Sequence, residues 1–77
     1  MPKVKVYSTS TCPYCHMAKE FLRQNNVEFE DINVEEDRGA AEEMVRKSGQ
    51  YGVPVIEVDG EIVVGFDRER LKQLLKI

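Results

Sequence analysis

The sequence predicts an α/β fold with its elements in the order β-α-β-α-β-β-α. Three observations predict this order. A short apolar strand leads directly into a helix that begins at Cys12-Pro13, two apolar runs are joined by Asp59-Gly60, and the other segments carry apolar residues at helical spacing. The chain has 77 residues, 42% of them hydrophobic and 32% charged, which predicts one globular domain over residues 1–77.

The first half of the chain should form a β-α-β unit with parallel strands and a right-handed crossover. We expect strand one over Lys3 to Tyr7 and helix one over Pro13 to Gln24, where Asn25-Asn26 end the helix. Strand two is expected over Val27 to Asn33. Its apolar residues change parity along the strand, which indicates a sheet with helices on both faces, or a bulge.

The second half begins with helix two, expected from Arg38 to Lys47, with Asp37 as its N-cap and Gly49 as a left-handed stop. The runs Val55 to Val58 and Glu61 to Val64 should be antiparallel neighbours, because Asp-Gly between two apolar runs favours a type I′ hairpin turn. A last helix should follow, capped by Asp67 and with three leucines facing inward: Leu71, Leu74 and Leu75.

Cys12 and Cys15 are the only cysteines of the chain, and they stand where strand one gives way to helix one. Pro13 suits the first helical position, which makes Cys12 the expected N-cap and puts Cys15 in the first turn. Free backbone N–H groups and the positive end of the helix dipole favour the thiolate of Cys12. The pattern predicts thiol–disulfide redox chemistry, with Cys12 as the exposed nucleophile and Cys15 as the more buried resolving thiol.

Three other interpretations of the cysteine pair are weaker. A structural disulfide would close a very small loop and would constrain little of the unfolded chain. A zinc site needs about four ligands, and one chain offers only the two cysteines and the adjacent His16, so we expect no metal site. If the two cysteines were unrelated buried residues, the presence of Pro13 between them and their position at a strand-to-helix junction would be a coincidence.

The charge and the apolar segments of the sequence limit which partners and which location we expect for the chain. A net charge of −3 does not suggest nucleic acid, and no segment is long and apolar enough to span a bilayer. We expect no signal peptide and therefore a reducing, cytoplasmic location. One acidic stretch is interpreted as a solvated edge strand and loop, with a docking surface for a basic partner as the alternative: Glu28, Glu30, Asp31, Glu35, Glu36 and Asp37.

The order of elements, with Cys-Pro-Tyr-Cys after strand one, resembles the glutaredoxins, the small members of the thioredoxin-fold superfamily. The residues that carry the resemblance are Tyr7, Thr11 to His16 with Ala18-Lys19, Val53-Pro54, Asp59-Gly60 and Gly65-Phe66-Asp67. The resemblance implies a four-stranded mixed sheet in the order 2-1-3-4, with one helix on one face and two on the other. It also implies a thiol–disulfide oxidoreductase without a tightly bound cofactor, which acts on protein disulfides or glutathione mixed disulfides with glutathione as a co-substrate.

The resemblance further implies what surrounds Cys12. A cis peptide bond before Pro54 would aim the backbone of Val53 at a peptide or glutathione beside Cys12, the alternative for Pro54 being a simple strand-entry proline. Gly65 and Asp67 match the place that holds the γ-glutamyl end of glutathione, where a helix N-terminus attracts a carboxylate. The remaining residues assigned to the site are Tyr14 at the lip of the groove, Phe66 beside it, and Thr11 and Pro13 in support of the cysteines.

Two departures from the family pattern concern the electron donor. Glutathione-using members usually carry a Lys in the loop before the cysteines, where this chain has Ser8-Thr9-Ser10. A Gly-Gly-Cys-Asp type of segment is common before the last helix, where this chain reads Val64-Gly65-Phe66-Asp67. The Gly-Phe pair is similar to the glutaredoxin-like redoxins that take electrons from thioredoxin reductase and supply ribonucleotide reductase. The expected partner is therefore glutathione or a flavoprotein disulfide reductase.

Two further function classes remain as alternatives. One is an iron–sulfur cluster held between two chains by Cys12 and glutathione, and the other is a non-catalytic peptide-binding adaptor. Family members that hold clusters mostly have a changed active-site Pro or second Cys, so the intact Pro13 and Cys15 argue against a cluster, and we expect a monomer. Lys19 is expected to be a solvated surface residue, or else to help stabilise the Cys12 thiolate. His16 should lie on the surface and point away from Cys12.

Overall fold

The structure, a computed structural model, describes residues 3–77, and Met1 and Pro2 of the predicted domain lie outside the described residues. The elements are β1 (Val4–Ser8), α1 (Pro13–Gln24), β2 (Glu30–Asn33), α2 (Arg38–Ser48), β3 (Val55–Val58), β4 (Glu61–Val64) and α3 (Arg68–Leu75). The four-stranded sheet has the order β2-β1-β3-β4, with β1 parallel to β2 and antiparallel to β3, and β3 antiparallel to β4. The predicted element order and mixed sheet are confirmed.

A hydrophobic cluster lies on each face of the sheet. The cluster under α1 and α3 comprises Val4, Val6, Ala18, Phe21, Leu22, Ile56, Val58, Val63, Leu71 and Leu75. The cluster under α2 comprises Tyr7, Met44 and Val55. Successive side chains of a strand point to opposite faces, so the central strands β1 and β3 contribute to both clusters. The predicted division of the helices, two on one face and one on the other, is confirmed.

Strand β2 begins at Glu30 rather than at Val27, so the predicted start was wrong. Val27 and Phe29 precede the strand and pack against the cluster under α1 and α3, while Ile32 and Val34 pack against the cluster under α2. The apolar residues of this segment change parity because both faces of the sheet are covered by helices. The two residues of the first parity lie before β2, and those of the second parity lie within it or directly after it. The remaining element boundaries differ from the predicted ones by a residue at most.

The helix caps and the hairpin turn follow the local signals in the sequence. An Oδ1 atom of Asp37 accepts a hydrogen bond from the N–H of Ala40 over 3.1 Å. Gly49 has φ 77° and donates its N–H to the carbonyl of Val45 over 2.7 Å. Asp59 and Gly60, between β3 and β4, both have positive φ values, 48° and 89°, as a type I′ turn requires.

Candidate active site

Cys12 is the N-cap of α1 and lies where β1 feeds into the helix. Its backbone is extended, with φ −90° and ψ 112°, and its Sγ accepts a hydrogen bond from the backbone N–H of Cys15 over 3.2 Å. Pro13 occupies the first helical position, where no N–H is needed. Cys12 is half-buried and Cys15 is fully buried. The sulfur of Cys12 can therefore meet a substrate, while that of Cys15 is shielded behind it.

The pKa of the Cys15 thiol is raised from 9.0 to about 12, chiefly by burial and, in the same direction, by the hydrogen bond and charge of Cys12. A backbone hydrogen bond involving Thr9 and the positive charge of Lys19 act to lower this pKa. The net effect keeps the Cys15 thiol of the reduced protein protonated at neutral pH. Cys15 is thus a poor nucleophile at rest, because the thiolate is the reactive form.

The loop before β3 lies beside Cys12, because β3 is paired with β1 in the sheet. The peptide bond between Val53 and Pro54 is cis, and the carbonyl oxygen of Val53 lies 3.9 Å from Sγ of Cys12. Gly65, which follows β4, has φ 79° and donates its N–H to the carbonyl of Pro54 over 2.8 Å. This hydrogen bond joins the two loops, and the structure therefore brings together four of the residues predicted for the site.

Phe66 and Asp67 connect this region to α3. The ring of Phe66 packs edge-on against Phe21 of α1, with 5.8 Å between ring centroids. Oδ1 of Asp67 accepts a hydrogen bond from the N–H of Arg70 over 3.1 Å and so caps α3, as predicted. An open groove between α1 and α3, with a volume of about 320 Å³, runs along Phe66, and it is lined by Met17, Glu20, Phe21, Gln24, Phe66 and Arg68.

The residues predicted to support the cysteines or to shape the groove lie on the surface around them. Tyr14 extends from the first turn of α1 and is 62% exposed, and Met17 on the next turn is 51% exposed. Thr11 is an exposed residue of the loop before Cys12. His16 is exposed as predicted, and its Nε2 lies 3.1 Å from the carbonyl oxygen of Ser10.

The prediction that Lys19 is a solvated surface residue was wrong. Lys19 is only 8% exposed, and its Nζ lies 3.1 Å from Oδ2 of Asp31 on β2. Oδ1 of the same carboxylate accepts a hydrogen bond from the hydroxyl of Ser8 over 3.0 Å. The carboxylate of Asp31 neutralises the ammonium group and so permits its burial. The signal in the sequence was the position of Lys19 between Ala18 and Leu22, on the apolar side of α1.

Sequence reasoning also missed the partner of the loop before the cysteines. Oε1 of Glu35 accepts hydrogen bonds from the backbone N–H of Ser10 over 2.9 Å and from its hydroxyl over 3.3 Å. A carboxylate therefore lies on the loop where glutathione-using family members usually carry a lysine. The acidic stretch of the sequence contained Glu35, but nothing local tied that residue to Ser10.

Neither a metal cluster nor a membrane-spanning helix is found in the described part of the chain. Within residues 3–77, no three His, Cys, Asp or Glu side chains are grouped so that they could hold a metal ion. In the same residues, no helix is long and apolar enough to cross a membrane. Cys12 and Cys15 are both free thiols in this structure.

A helix-capping thiol with a second, buried thiol one turn further on defines a dithiol redox protein, and the sheet order places it in the thioredoxin-like fold. Comparison with known proteins narrows this class. The family model described as Glutaredoxin matches residues 4–63. Glutaredoxin 3 of Escherichia coli K12 is 37% identical over 67 residues, which cover 87% of this chain and 81% of that protein.

Two other relatives match nearly end to end. A glutaredoxin-like 8.6 kDa protein in the rubredoxin operon of Clostridium pasteurianum is 47% identical over 73 residues, covering 95% of this chain and 97% of that protein. The glutaredoxin-like protein NrdH of Lactococcus lactis is 32% identical over 71 residues, covering 92% and 97%.

Solved structures of thioredoxin-like and glutaredoxin-like proteins are also similar to this chain. A crystal structure of a mutant of the thioredoxin-like protein BC3987 has a TM-score of 0.93 and 42% identity, covering 100% of this chain and 99% of the other. The NrdH-redoxin from Escherichia coli, described as having a thioredoxin-like activity profile, has a TM-score of 0.84 and 28% identity, covering 94% and 93%. The chain belongs to the glutaredoxin family, and it is a thiol–disulfide oxidoreductase.

Proposed function

We propose that the chain reduces protein disulfides through Cys12 and Cys15, and that a flavoprotein reductase of the thioredoxin-reductase type supplies its electrons in preference to glutathione. The disulfide of a ribonucleotide reductase is the substrate class that goes with the redoxins it resembles. We further propose that it works as a monomer in the cytoplasm, where a reducing environment returns the cysteine pair to the dithiol form.

The proposed reaction has two exchange steps. The thiolate of Cys12 attacks one sulfur of the substrate disulfide, which forms a mixed disulfide and releases the other substrate sulfur as a thiolate. The thiolate of Cys15 then attacks Sγ of Cys12, which releases the second substrate thiolate and leaves a Cys12–Cys15 disulfide. Two electrons from the reductase dithiol restore both thiols. The cap at Cys12 and the burial of Cys15 support this order of attack.

The observation that carries the choice of donor is the carboxylate of Glu35 on the loop at Ser10. Glutathione-using members usually have a Lys in this loop, which meets the glycyl carboxylate of glutathione. Here Oε1 of Glu35 lies 2.9 Å from the Ser10 backbone nitrogen and already occupies that N–H. A negative charge at this place repels a second carboxylate, and the loop donates one hydrogen bond fewer to the tripeptide.

The surface beside Cys12 supports a protein partner. Tyr14 and Met17 expose large apolar side chains on consecutive turns of α1, and aromatic and Met side chains are enriched where proteins meet. Phe66 is held by Phe21 at the wall of the neighbouring groove, so the residue that distinguishes the Gly-Phe type of redoxin has a fixed position. Relatives with the NrdH name support the same choice.

A second candidate is reduction by glutathione, which one specific observation favours. Asp67 is exposed at the N-terminus of α3, where an aspartate can accept from the γ-glutamyl amine while the helix end attracts the adjacent carboxylate. Relatives that carry the glutaredoxin name support this candidate.

The two candidates are separated by the oxidation of NADPH during reduction of a small disulfide. One assay contains glutathione with glutathione reductase, and the other contains thioredoxin reductase. We expect turnover with thioredoxin reductase to exceed turnover with glutathione by about fivefold or more, because glutathione meets a charge repulsion of about 1 kcal/mol or more at the site. Turnover that depended on glutathione alone would contradict the proposed donor, and Cys12→Ser serves as the inactive control in both assays.

A further inference from the structure

The ion pair between Lys19 and Asp31 is not explained by stability. The side chain of Lys19 is 10% exposed and that of Asp31 is 46% exposed, so the ammonium group is largely removed from water. Desolvation offsets most of what such a pair contributes, and replacing a buried pair by apolar residues is often neutral or stabilising. An apolar side chain at position 19 would suit the neighbouring Ala18 and Leu22, which are both fully buried.

The pair lies next to the buried thiol. Lys19 follows Cys15 by one turn of α1, and residues at this spacing are neighbours on one face of a helix. Helical side chains lean back toward the N-terminus, so Lys19 covers the turn that contains Cys15. Asp31 is paired with Val6 in the sheet register, which puts its side chain on the sheet face that α1 covers.

We propose that Lys19, held by Asp31, is a positioning residue whose positive charge stabilises the thiolate of Cys15 in the second step of exchange. In that step Cys15 loses its proton to solvent, and its sulfur bonds to Sγ of Cys12. The bond between Cys12 and the substrate sulfur breaks, and the departing thiolate takes a proton from solvent. The step rests on the thiol–disulfide activity of the family, whichever donor reduces the protein afterwards.

The charges around Cys15 change in favour of this role once the mixed disulfide forms. In the reduced protein, burial and Cys12 raise the pKa of Cys15, while Lys19 and a backbone hydrogen bond involving Thr9 lower it. A Cys12 sulfur bonded to substrate carries no negative charge, so its repulsion of the Cys15 thiolate is lost. Burial still raises the pKa of Cys15, and Lys19 and the hydrogen bond involving Thr9 still lower it. The groups that face Lys19 from the strands are the carboxylate of Asp31 and, through it, the hydroxyl of Ser8.

The test separates the two steps with an aromatic disulfide, 5,5′-dithiobis(2-nitrobenzoate). One coloured thiolate is released when Cys12 attacks, and a second is released when Cys15 resolves the mixed disulfide. Because this leaving thiolate has a low pKa, the pH dependence of the second phase reports the ionisation of Cys15. We expect Lys19→Met to slow the second phase about tenfold at pH 7 and to raise its pH midpoint by about one unit, since a unit of pKa corresponds to a tenfold change in thiolate.

The first phase should keep its rate and pH midpoint in Lys19→Met, and Lys19→Arg should restore the second. Lys5→Met is the matched control, because it removes the same charge from the part of β1 that faces α2, and it should change neither phase. If Lys19→Met leaves the unpaired Asp31 carboxylate too costly for folding, the double variant with Asp31→Asn removes both charges. It should show a smaller midpoint shift in the same direction, because the loss of the negative charge offsets part of the loss of the positive one. An unchanged second-phase midpoint in a folded variant without Lys19, or equal shifts in both phases, would overturn the proposal.

Discussion

The backbone N–H of Cys15 donates a hydrogen bond to Sγ of Cys12 over 3.2 Å. The bond exists because Cys12 caps α1, whose first N–H groups have no partner within the helix. The two sulfurs of one short motif thereby acquire different surroundings. Cys12 receives a hydrogen bond from the helix N-terminus and is half-buried, whereas Cys15 is fully buried and has a raised pKa.

Removal of each cysteine should have a different effect. Cys12→Ser is expected to abolish all turnover, because the hydroxyl of serine is not ionised at neutral pH and cannot attack a disulfide. Cys15→Ser is expected to stop the reduction of protein disulfides and to leave the substrate attached to Cys12 as a mixed disulfide. Mass spectrometry of the protein after a single turnover measures that adduct.

Deglutathionylation is the contrasting reaction for the same two variants. It needs Cys12 alone if an external thiol resolves the intermediate, so Cys15→Ser should retain it. A Cys12→Ser protein that still turned over would show that Cys12 is not the nucleophile.

Reduced protein should lose stability as the pH rises above about 9. Burial raises the pKa of Cys15 from 9.0 to about 12, so between these values the unfolded thiol is ionised while the folded thiol keeps its proton. The folded state then binds more protons, and the free energy of unfolding falls with rising pH, by about 1.4 kcal/mol per unit at most. Urea denaturation at pH 8, 9 and 10 measures this slope.

Reduced Cys15→Ala is the matched control for this slope, because it keeps Cys12 and all the lysines and tyrosines of the chain. Its free energy of unfolding should fall less steeply over the same pH range. Equal slopes in the two proteins would mean that the Cys15 proton is held no more tightly in the folded state.

Reversal of the charge at Glu35 should improve the use of glutathione. Glu35→Lys replaces the carboxylate at Ser10 by a cation, which can meet the glycyl carboxylate of the tripeptide. We expect the KM for glutathione to fall about fivefold or more, since an exposed charge contributes on the order of 1 kcal/mol. Steady-state kinetics with glutathione and glutathione reductase measure it.

Glu36→Lys is the control for this reversal, because it makes the same change in net charge at the next exposed residue. Its KM should stay close to that of the parent protein. Similar KM values in both variants would indicate a general effect of charge and no contact at the loop.

Lys47 should stabilise the packing of α2 on the sheet. Its Nζ lies 2.6 Å from Oε1 of Glu57 on β3, 2.7 Å from Oε1 of Glu43 and 3.4 Å from the hydroxyl of Tyr7. Lys47→Met would leave Glu57, whose side chain is 14% exposed, without its cation. We expect the free energy of unfolding to fall by about 1 kcal/mol, as measured by urea denaturation at pH 7.

Arg70→Met is the comparison for Lys47→Met, because Arg70 and Glu61 form a pair of 3.8 Å with both side chains largely exposed. Its effect should be under about 0.5 kcal/mol. The hydrogen bond and charge of Lys47 lower the pKa of Glu43, so their contribution is present at neutral pH and is lost as the pH falls through that lowered pKa. The acid branch of the stability curve should therefore be shallower in Lys47→Met.

Much of the fold, and the greater burial of Cys15 than of Cys12, were predictable because the signals in the sequence are local. Asp37, Asp67 and Cys12 each accept from an N–H three residues ahead, and Asp59-Gly60 specifies its own turn. Such hydrogen bonds are decided by neighbouring residues and by backbone preferences. The start of β2 was less predictable, since Val27 and Phe29 are apolar whether they pack within a strand or before one.

By itself the sequence determined the order of elements, the helix caps, the hairpin and the position of the cysteine pair at the start of α1. Only the tertiary structure decided that Lys19 is buried with Asp31, that Glu35 holds Ser10, and that the Val53 carbonyl lies beside Cys12. These partners are separated along the chain by 12, 25 and 41 positions. The physical reason is that the residues around a charged side chain in the sequence do not specify which strand will pack against it. Burial of that charge becomes favourable only when the packed structure supplies a counter-charge.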